Sequence, residues 1–263
     1  MSVLRLIQFT DPHLYGEETG ALRGVATYPA LLRAIEHART RDWPVDAMLV
    51  TGDLVQDDPS GYARFRRTFG GFTEPVLCLP GNHDVPDAMR RELAAQPFVL
   101  GGTVDLEEWR IVLLDSTVPG SAGGHLSERS LAELDAALGG APAQHVLVCL
   151  HHHPVTMASR WLDQVGLANP ADLFRVLDAY RNVRAVLWGH VHQSFEGVRR
   201  RVRLLGTPST CMQFQPRADE FAIDSRPPGY RTLELHPDGT LRTEVVWIDA
   251  CAASNGRTIC SAA

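Results

Sequence analysis

The sequence has few cysteines, and their arrangement excludes several classes of protein. The five cysteines lie at positions 78, 149, 211, 251 and 260, without a Cys-x-x-Cys pair. Cys78 and Cys149 fall within apolar strand candidates, which indicates buried thiols rather than a disulfide framework. Free thiols of this kind are typical of a reducing compartment. We therefore expect a cytoplasmic location.

Long apolar runs are also missing from the sequence. No stretch approaches the roughly 18 apolar residues that a membrane-spanning helix needs. The apolar start of the chain is interrupted by Arg5 and Gln8, so it does not predict a secretory signal peptide. These observations predict a protein without a membrane partner.

The sequence lacks the positive charge of a nucleic-acid-binding protein. It has 25 Lys and Arg against 31 Asp and Glu, which gives a formal net charge of −6. A protein that binds a polyanion such as DNA presents a basic patch or stripe. The run Arg199–Arg203 is short and is interpreted as the solvated turn of a hairpin. We therefore expect no nucleic-acid partner, although a small charged substrate held by metal is compatible with this charge.

The order of the predicted elements indicates an α/β fold. Three apolar strand candidates alternate with three amphipathic helix candidates, in the order 3–9, 28–40, 46–50, 59–69, 75–79 and 86–95. Such alternation favours crossover connections over a largely parallel sheet. Thr27 is a candidate cap for the first of these helices.

The second half of the chain contains more strands and fewer helices. Its predicted elements are a hairpin over 103–115, a helix over 127–138, a strand over 145–150, a helix over 170–180, a strand over 183–188, and hairpins over 194–205 and 230–248. An end made only of strands suggests a second sheet packed on the first. We predict a two-sheet sandwich with flanking helices, a four-layer α/β/β/α arrangement. Residues 1–250 would form a single domain, and the small, polar residues 251–263 would form a flexible tail.

The segment Pro80-Gly81-Asn82-His83-Asp84 follows a buried strand candidate and combines three kinds of polar side chain. Open α/β sheets place their chemistry at the carboxyl ends of strands. An amide oxygen, an imidazole and a carboxylate can serve there as metal ligand, proton donor and orienting group. Taken alone, the same segment is equally typical of a turn whose Asn and Asp bond their own backbone.

Matching side chains follow four other predicted strands. These are Asp11 and His13, then Asp53, then His151, His152 and His153, and finally His190 and His192. Residues two apart on an extended chain face the same side, so Asp-x-His and His-x-His can bind one cation together. Imidazole, carboxylate and amide oxygen suit first-row divalent metals. The set exceeds the needs of one ion, so two ions that share Asp53 are the economical arrangement.

These motifs, in this order and at these spacings, resemble the calcineurin-type metallophosphoesterase superfamily. A closer likeness, from Arg5 to Ile248, is to the bacterial class III phosphodiesterases that hydrolyse 3',5'-cyclic AMP. It includes the Pro80–Asp84 segment, His151-His152-His153-Pro154, Trp161-Leu162-Asp163, and the segment from Thr207 to Phe214.

The resemblance implies two metal ions and a role for each motif residue. One ion would be held by Asp11, His13, Asp53 and His192, and the other by Asp53, Asn82, His151 and His190. Iron or manganese is expected, with zinc and cobalt as alternatives. Substrate would contact His13, Asn82, His83 and His192. Among these, His83, oriented by Asp84, would donate to the phosphoryl oxygen or protonate the departing 3' oxygen.

The implied reaction is the hydrolysis of 3',5'-cyclic AMP to 5'-AMP through attack on phosphorus by a hydroxide that bridges the two metals. A broader phosphodiesterase or phosphomonoesterase on the same site is the alternative, because metal ions recognise phosphate rather than the nucleoside. A scaffold protein that has lost its metals would lack ligands, and every ligand of the motifs is present here.

Four questions stay open at the level of sequence. His151 and His152 compete as the ligand after the strand predicted over 145–150, and His151 is preferred because it leaves the strand first. Trp161, Phe214 and Tyr230 could stack on a base or lie in the core. His125 and the pair Asp115-Ser116 could support the site or have no role in it. The oligomeric state and the choice between cyclic AMP and cyclic GMP are undetermined.

Overall fold

The computed structural model describes residues 2–248. The strands of this part of the chain are β1 (Leu4–Phe9), β2 (Ala21–Leu22), β3 (Val25–Ala26), β4 (Ala47–Thr51), β5 (Val76–Leu79), β6 (Phe98–Leu100), β7 (Gly102–Leu106), β8 (Trp109–Leu113), β9 (His145–Leu150), β10 (Val183–Trp188), β11 (Phe195–Arg199), β12 (Val202–Gly206), β13 (Gln213–Phe214), β14 (Ile223–Asp224), β15 (Gly229–Leu235) and β16 (Leu241–Trp247). The helices are α1 (Thr27–Arg41), α2 (Gly61–Phe69), α3 (Pro86–Glu92), α4 (Glu128–Gly139), α5 (Arg160–Asp163) and α6 (Pro170–Asp178). The predicted tail, 251–263, lies outside the described residues, and the single domain 1–250 stays a prediction.

The first large sheet has six strands in the order β16-β15-β1-β4-β5-β6. Strands β1, β4, β5 and β6 are parallel to one another, whereas β15 and β16 pair in antiparallel fashion at one side. All residues of β4 and β5 are buried, as expected for parallel strands covered on both faces.

The second large sheet also has six strands, in the order β11-β12-β10-β9-β8-β7. Its four central strands are parallel, and the edge strands β11 and β7 are antiparallel to their neighbours. The predicted hairpin over 103–115 is confirmed as β7 and β8, and the predicted hairpin over 194–205 as β11 and β12.

The two sheets pack face to face, with helices on both outer surfaces. Along β9, Leu147 and Cys149 belong to the core between the sheets, whereas Val146 and Val148 pack against the helical layer of the second sheet. The same alternation in β1 directs Leu6 to the inner core, and Ile7 and Phe9 toward the helices of the first sheet. The predicted four-layer α/β/β/α sandwich is therefore confirmed.

One detail of the predicted sandwich is wrong. The strand-only end of the chain does not form the second sheet by itself, because its last hairpin, β15 and β16, joins the first sheet beside β1. The second sheet instead begins with the middle hairpin, β7 and β8. An edge strand with unpaired backbone groups is satisfied by whichever strand packs beside it, so sequence order does not decide the partner.

Several helix ends differ from the predicted bounds. Helix α1 includes Thr27, and Ala26 at the cap position makes no side-chain capping bond. The Thr27 backbone N–H donates to the carbonyl oxygen of Gly20 at 3.1 Å, which ties the helix start to the β2–β3 hairpin. The other differences are the start of α2 at Gly61 and the ends of α3 at Glu92 and α6 at Asp178.

Two further findings bear on the expected class of protein. Cys78, Cys149 and Cys211 are buried free thiols. Within residues 2–248, every helix is too short or too polar to cross a bilayer.

Candidate metal centre

The ends of β1 and β4 continue side by side and bring their polar side chains together. The Asp11 backbone N–H donates to the carbonyl oxygen of Gly52 at 3.1 Å, and that of His13 donates to Asp53 at 3.0 Å. The side chains of Asp11, His13 and Asp53 are at most 3% exposed. The carboxyl edge of the first sheet therefore presents two carboxylates and an imidazole in a buried pocket.

The second sheet adds its histidines to the same pocket. The His190 backbone N–H donates to both carboxylate oxygens of Asp11, at 3.0 and 3.1 Å. The Nδ1 of His151 donates to the carbonyl oxygen of Thr51 at 2.8 Å. These bonds join the ends of β9 and β10 to the ends of β1 and β4, so the site lies where the two sheets meet.

A first group of potential ligands consists of Asp11, His13 and His192, whose ligand atoms lie within 4.8 Å of one another. The Nε2 atoms of His13 and His192 are 3.1 Å apart. The Nε2 of His192 is 3.4 Å from Oδ1 of Asp11. The Nδ1 of His192 donates to the carbonyl oxygen of Met212 at 2.7 Å, which leaves Nε2 with a free lone pair for a cation.

Asp53 lies between this group and a second one. Its Oδ2 is 3.8 Å from Nε2 of His13 and 3.4 Å from Nε2 of His151. The Nε2 of His151 is also 3.3 Å from Oδ1 of Asn82. A carboxylate between two groups of ligands has the position of a bridge between two ions.

Two buried imidazole nitrogens of the pocket bear on whether it suits metal ions. The Nε2 of His190 and the Nδ1 of His13 are buried, and neither has a hydrogen-bond partner in the part of the chain that the structure describes. Burial places the pKa of His190 well below its usual value and lowers the pKa of His13 to about 4. Neutral imidazoles with unused lone pairs beside carboxylates fit first-row divalent metals.

Opposing effects set the charge of the two carboxylates. Burial by itself would raise the pKa of Asp53, but the neighbouring imidazoles of His151, His13 and His83 together outweigh it and hold that pKa well below its usual value. His192 has the same effect on Asp11, whose pKa is lowered against the influence of burial. Both carboxylates are therefore ionised at neutral pH and available to cations.

His151 and His152 face different neighbours. The Nε2 of His151 faces Asn82 and Asp53, whereas the Nδ1 of His152 lies 2.8 Å from the hydroxyl oxygen of Ser116. The ring of His152 is nevertheless close to His190, with centroids 4.8 Å apart. This arrangement favours His151 as the ligand, and the assignment stays a prediction.

The backbone at the ligand positions adopts an uncommon conformation. Asp11, His13, Asp53, His190 and His192 all have positive φ angles, between 45° and 66°. Residues other than glycine rarely adopt this region, and such strain is concentrated at functional sites. These residues lie two or four positions beyond the ends of β1, β4 and β10, so the chain turns in this conformation where the ligands converge on one pocket.

His83 has a different aspartate partner from the one predicted. The carboxylate of Asp84 accepts hydrogen bonds from the backbone N–H groups of Leu54 (3.1 Å), Val55 (3.3 Å) and Gly81 (2.8 Å) and from the hydroxyl of Tyr62 (2.8 Å). It makes no contact with the imidazole of His83, so the predicted orienting role of Asp84 is wrong. The reason is a tight turn in which the Asp84 backbone N–H donates to Gly81 and its side chain points inward.

The Nδ1 of His83 instead donates to Oδ2 of Asp57 at 2.9 Å. Gln56 donates to the same oxygen at 2.8 Å. The ring of His83 is 5.4 Å from that of His13 and its side chain is 33% exposed, so it lies at the mouth of the pocket. No motif in the sequence distinguished Asp57 from its neighbour Asp58.

The three aromatic candidates separate into two locations. Tyr230 is fully buried, and its hydroxyl contacts Asp42 and His37, so of the two alternatives it takes the core position. Phe214 stacks on the metal-ligand candidate His192, with ring centroids 4.0 Å apart and an angle of 7°. Trp161 lies 5.1 Å from Phe214. A base-stacking role for these last two stays a prediction.

Sequence reasoning missed one member of this aromatic group, Phe221. Its ring lies 5.4 Å from Phe214 and 5.2 Å from Trp161, and 44% of the residue is exposed. The guanidinium of Arg23 covers its ring at 5.3 Å. A single aromatic residue in an irregular segment gives no periodic signal that could have identified it.

The remaining candidates lie at different distances from the site. Ser116 contacts His152, as described above, and therefore supports the pocket. Its neighbour Asp115 is exposed and bonds Thr117. The side chain of His125 is exposed, and only its backbone N–H reaches Ser116, at 2.9 Å.

Comparisons with known proteins agree with this geometry. The family model described as calcineurin-like phosphoesterase matches residues 4–194. The chain is 40% identical to a 3',5'-cyclic adenosine monophosphate phosphodiesterase, CpdA, of Pseudomonas aeruginosa, over 93% of this chain and 90% of that protein. It is 42% identical to the protein of the same name from Escherichia coli strain K12, over 92% of this chain and 89% of that one.

Solved structures show the same fold. A dimetal phosphatase from Danio rerio superposes with a TM-score of 0.63 at 16% identity, covering 95% of this chain and 100% of the other. At this identity the likeness concerns the fold alone.

Proposed function

The chain belongs to the calcineurin-like phosphoesterase family, and we propose that it hydrolyses 3',5'-cyclic AMP to 5'-AMP at a two-metal centre. The observation that carries this proposal is the convergence of Asp11, His13, Asp53, Asn82, His151, His190 and His192 at one edge of the sandwich. Relatives at 40% and 42% identity that are named as cyclic AMP phosphodiesterases support the substrate.

Calcineurin-like phosphoesterases use a dinuclear metal site, and the two groups of ligands match this requirement. We assign one ion to Asp11, His13, Asp53 and His192, and the other to Asp53, Asn82, His151 and His190. Iron or manganese is the proposed occupant, with zinc or cobalt as alternatives, because the donors are nitrogen and oxygen without thiolate. When bound, two such ions supply a nucleophile at neutral pH and neutralise charge on the phosphate.

His83 is the proposed proton donor to the substrate. Its Nδ1 donates to the carboxylate of Asp57, so Nε2 can donate to a phosphoryl oxygen or to the departing 3' oxygen when the ring carries both protons, a charged form that the ion pair with Asp57 stabilises. Asp57 takes the orienting role that the sequence assigned to Asp84. Because the His83 side chain is 33% exposed, it can reach a substrate that enters from solvent.

We propose the cytoplasm as the location of the enzyme. Three buried free thiols, Cys78, Cys149 and Cys211, are compatible with a reducing compartment.

The test is hydrolysis by the purified protein before and after chelation and after reloading with Mn²⁺. The substrates are cyclic AMP, cyclic GMP, bis(p-nitrophenyl) phosphate and p-nitrophenyl phosphate. We expect 5'-AMP from cyclic AMP, loss of turnover on chelation and recovery with Mn²⁺. The variant Asp53→Asn removes a charge from the proposed bridge and should be inactive. Asp87→Asn, whose side chain is 90% exposed on α3, is the matched control and should be active.

Two results would contradict this proposal in different ways. Turnover of the synthetic diester without turnover of either cyclic nucleotide would support the alternative, a broader phosphodiesterase on the same two-metal site. Full activity of Asp53→Asn, or activity that chelation leaves unchanged, would exclude the two-metal centre itself.

A further inference from the structure

A row of buried polar side chains between the two sheets connects β15, which lies beside β1 in the first sheet, to the metal centre. All of its members are 0% exposed, although one is an arginine. We call this row the buried chain, and it consists of Arg231, Thr207, Gln8, Thr51, Thr10 and Asp11. A buried guanidinium is costly unless it is fully hydrogen-bonded, so its partners are of interest.

The first half of the buried chain begins at the guanidinium. The Nε of Arg231 donates to the hydroxyl oxygen of Thr207 at 3.0 Å. The Thr207 hydroxyl donates to Oε1 of Gln8. The other end of this amide donates from Nε2 to the hydroxyl oxygen of Thr51 at 2.7 Å. Gln8 therefore links Thr207, which follows β12 of the second sheet, to Thr51 at the end of β4 in the first sheet.

The second half of the buried chain ends on a metal-ligand candidate. The Thr51 hydroxyl donates to the hydroxyl oxygen of Thr10 at 2.8 Å. The Thr10 hydroxyl donates to Oδ2 of Asp11 at 2.6 Å. Each threonine therefore accepts one hydrogen bond and donates one, and no member of the row is left unsatisfied.

The two ends of the buried chain decide the direction of every bond in it. The guanidinium of Arg231 can only donate, and the ionised carboxylate of Asp11 can only accept. In the arrangement that satisfies both ends, each hydroxyl proton points toward Asp11 and the amide of Gln8 has one orientation. The Thr10 hydroxyl has a second acceptor, the carbonyl oxygen of Thr51 at 3.3 Å, but its contact with Asp11 at 2.6 Å is the shorter one. Bonds aligned in one direction polarise one another, so the row strengthens its last bond. Part of the arginine charge is compensated by Glu196, whose carboxylate accepts from the same guanidinium at 3.0 Å.

The buried chain makes the two oxygens of Asp11 different. Oδ2 accepts the Thr10 hydroxyl at 2.6 Å, whereas Oδ1 lies 3.4 Å from Nε2 of His192. We propose that Arg231, Thr207, Gln8, Thr51 and Thr10 are positioning residues that hold Asp11 with Oδ1 toward the metal and thereby set the affinity of the ion at Asp11, His13 and His192. This inference rests on the two-metal centre proposed above, but not on the identity of the substrate.

The test breaks the buried chain at two separate links. Thr51→Val and Thr207→Val each replace a hydroxyl by a methyl group of similar size. Thr51→Ser keeps the hydroxyl and is the conservative variant at the same position. Thr243→Val is the matched control, because Thr243 accepts from the same guanidinium at 3.1 Å but is not a member of the buried chain. Unfolding temperatures of the metal-free proteins show that each variant has folded.

Mn²⁺ binding to the chelator-treated full chain is measured by titration calorimetry. We expect two Mn²⁺ sites in the wild type. In Thr51→Val and Thr207→Val, the affinity of one of these sites should fall about 10- to 100-fold, as for other residues that orient a metal ligand. Thr51→Ser and Thr243→Val should bind like the wild type. Activity is not needed as a readout.

Three outcomes would overturn the inference. Wild-type Mn²⁺ affinity in both chain variants would exclude any positioning effect. A loss of Mn²⁺ affinity in Thr51→Val without such a loss in Thr207→Val would show that the Arg231 end of the buried chain has no influence on the metal site. An equal loss in Thr243→Val would show that the effect is not specific to the chain. A wild-type protein that binds no Mn²⁺ would overturn the proposed two-metal function instead.

Discussion

Two aspartates close to His83 have opposite surroundings. Asp57 is 66% exposed and its carboxylate contacts the imidazole, whereas Asp84 is buried and accepts four hydrogen bonds from donors other than His83. A side chain of the first kind can be changed without loss of packing. A side chain of the second kind satisfies buried donors, and its loss leaves them unpaired.

We predict that Asp57→Asn and Asp84→Asn affect different properties of the protein. Asp57→Asn should lower kcat about tenfold or more, up to the 10²–10⁴-fold that a general acid contributes, because His83 loses its orienting charge. Its free energy of unfolding should change little. Asp84→Asn should lower the free energy of unfolding by about 2–3 kcal/mol, because the amide presents N–H groups to buried donors.

Steady-state kinetics and urea unfolding of the two metal-loaded variants measure this difference. An unchanged kcat in Asp57→Asn would show that Asp57 does not orient the catalytic imidazole. A stable Asp84→Asn variant with reduced kcat would restore the role that the sequence first suggested for Asp84.

At the scale of the elements, the site depends on how closely strand ends approach one another. A Cβ atom on Gly81 would lie 2.2 Å from Oδ1 of Asp53, and one on Gly52 would lie 2.3 Å from Nδ1 of His151. Gly52 also has a φ of +96°, which side chains disfavour. The glycines of the Gly-Asp and Gly-Asn motifs therefore leave the space in which the ligands of neighbouring strands meet.

We predict that Gly81→Ala displaces the carboxylate of Asp53 and reduces the bound metal. The contact at 2.2 Å involves a buried side chain that two ligand groups surround, so it has little room to move. The measurement is the number of Mn²⁺ ions per chain after dialysis, together with the unfolding temperature. Gly71→Ala is the matched control, because a Cβ there meets no atom within 4 Å. Two bound ions in Gly81→Ala would show that the strand ends can relax.

At the scale of the whole molecule, the metal centre exists only when both sheets are packed together. The first sheet supplies its ligands from the ends of β1, β4 and β5, and the second from the ends of β9 and β10. Packing buries four histidines as neutral groups: the pKa is lowered to about 4 for His13 and His153, to about 3 for His152, and well below the usual value for His190.

This burial predicts how the stability of the metal-free protein depends on pH. Below about pH 6.5 the unfolded chain takes up protons on these histidines, whereas the folded chain does not until about pH 4. Stability therefore falls as pH falls through this window, by about 1.4 kcal/mol per pH unit for each histidine. His151 acts in the opposite sense, because its pKa is raised to about 9 by Asp53 against the effect of burial. Its contribution is lost as pH rises from about 6.5 to 9.

Urea unfolding of the chelated protein between pH 4.5 and 9 checks this dependence. We expect a maximum of stability near neutral pH and a steep decline on the acid side. A free energy of unfolding that stays constant between pH 5 and 6.5 would contradict the burial of neutral histidines. The variant His37→Gln is a control, because His37 lies outside the metal centre beside Tyr230 and should leave the slope on the acid side in place.

Much of the fold and of the ligand set was predictable because both depend on local patterns. The strands before Asp11, Asp53 and Asn82 are short apolar runs that read as buried strands in any context. The spacing in Asp11-x-His13 and His190-x-His192 marked these positions as ligands, although the segments are not extended: all four residues have positive φ angles, and His190 and His192 belong to different ligand groups. Alternation of strands and helices then indicated the parallel sheets and the edge at which the ligands collect.

Tertiary structure alone decided the features in which distant segments compete for the same partner. Asp84 is adjacent to His83 in sequence and Asp57 is 26 residues away, and only the turn at Gly81 shows which carboxylate faces the imidazole. Tyr230 lies in the core and the unpredicted Phe221 joins Trp161 and Phe214, because burial of an aromatic ring depends on the elements packed against it. The last hairpin joins the first sheet, and Arg231 is linked to Asp11 through five hydrogen bonds. Neither could be predicted, because strand pairing and buried polar contacts depend on which surfaces meet in the folded chain.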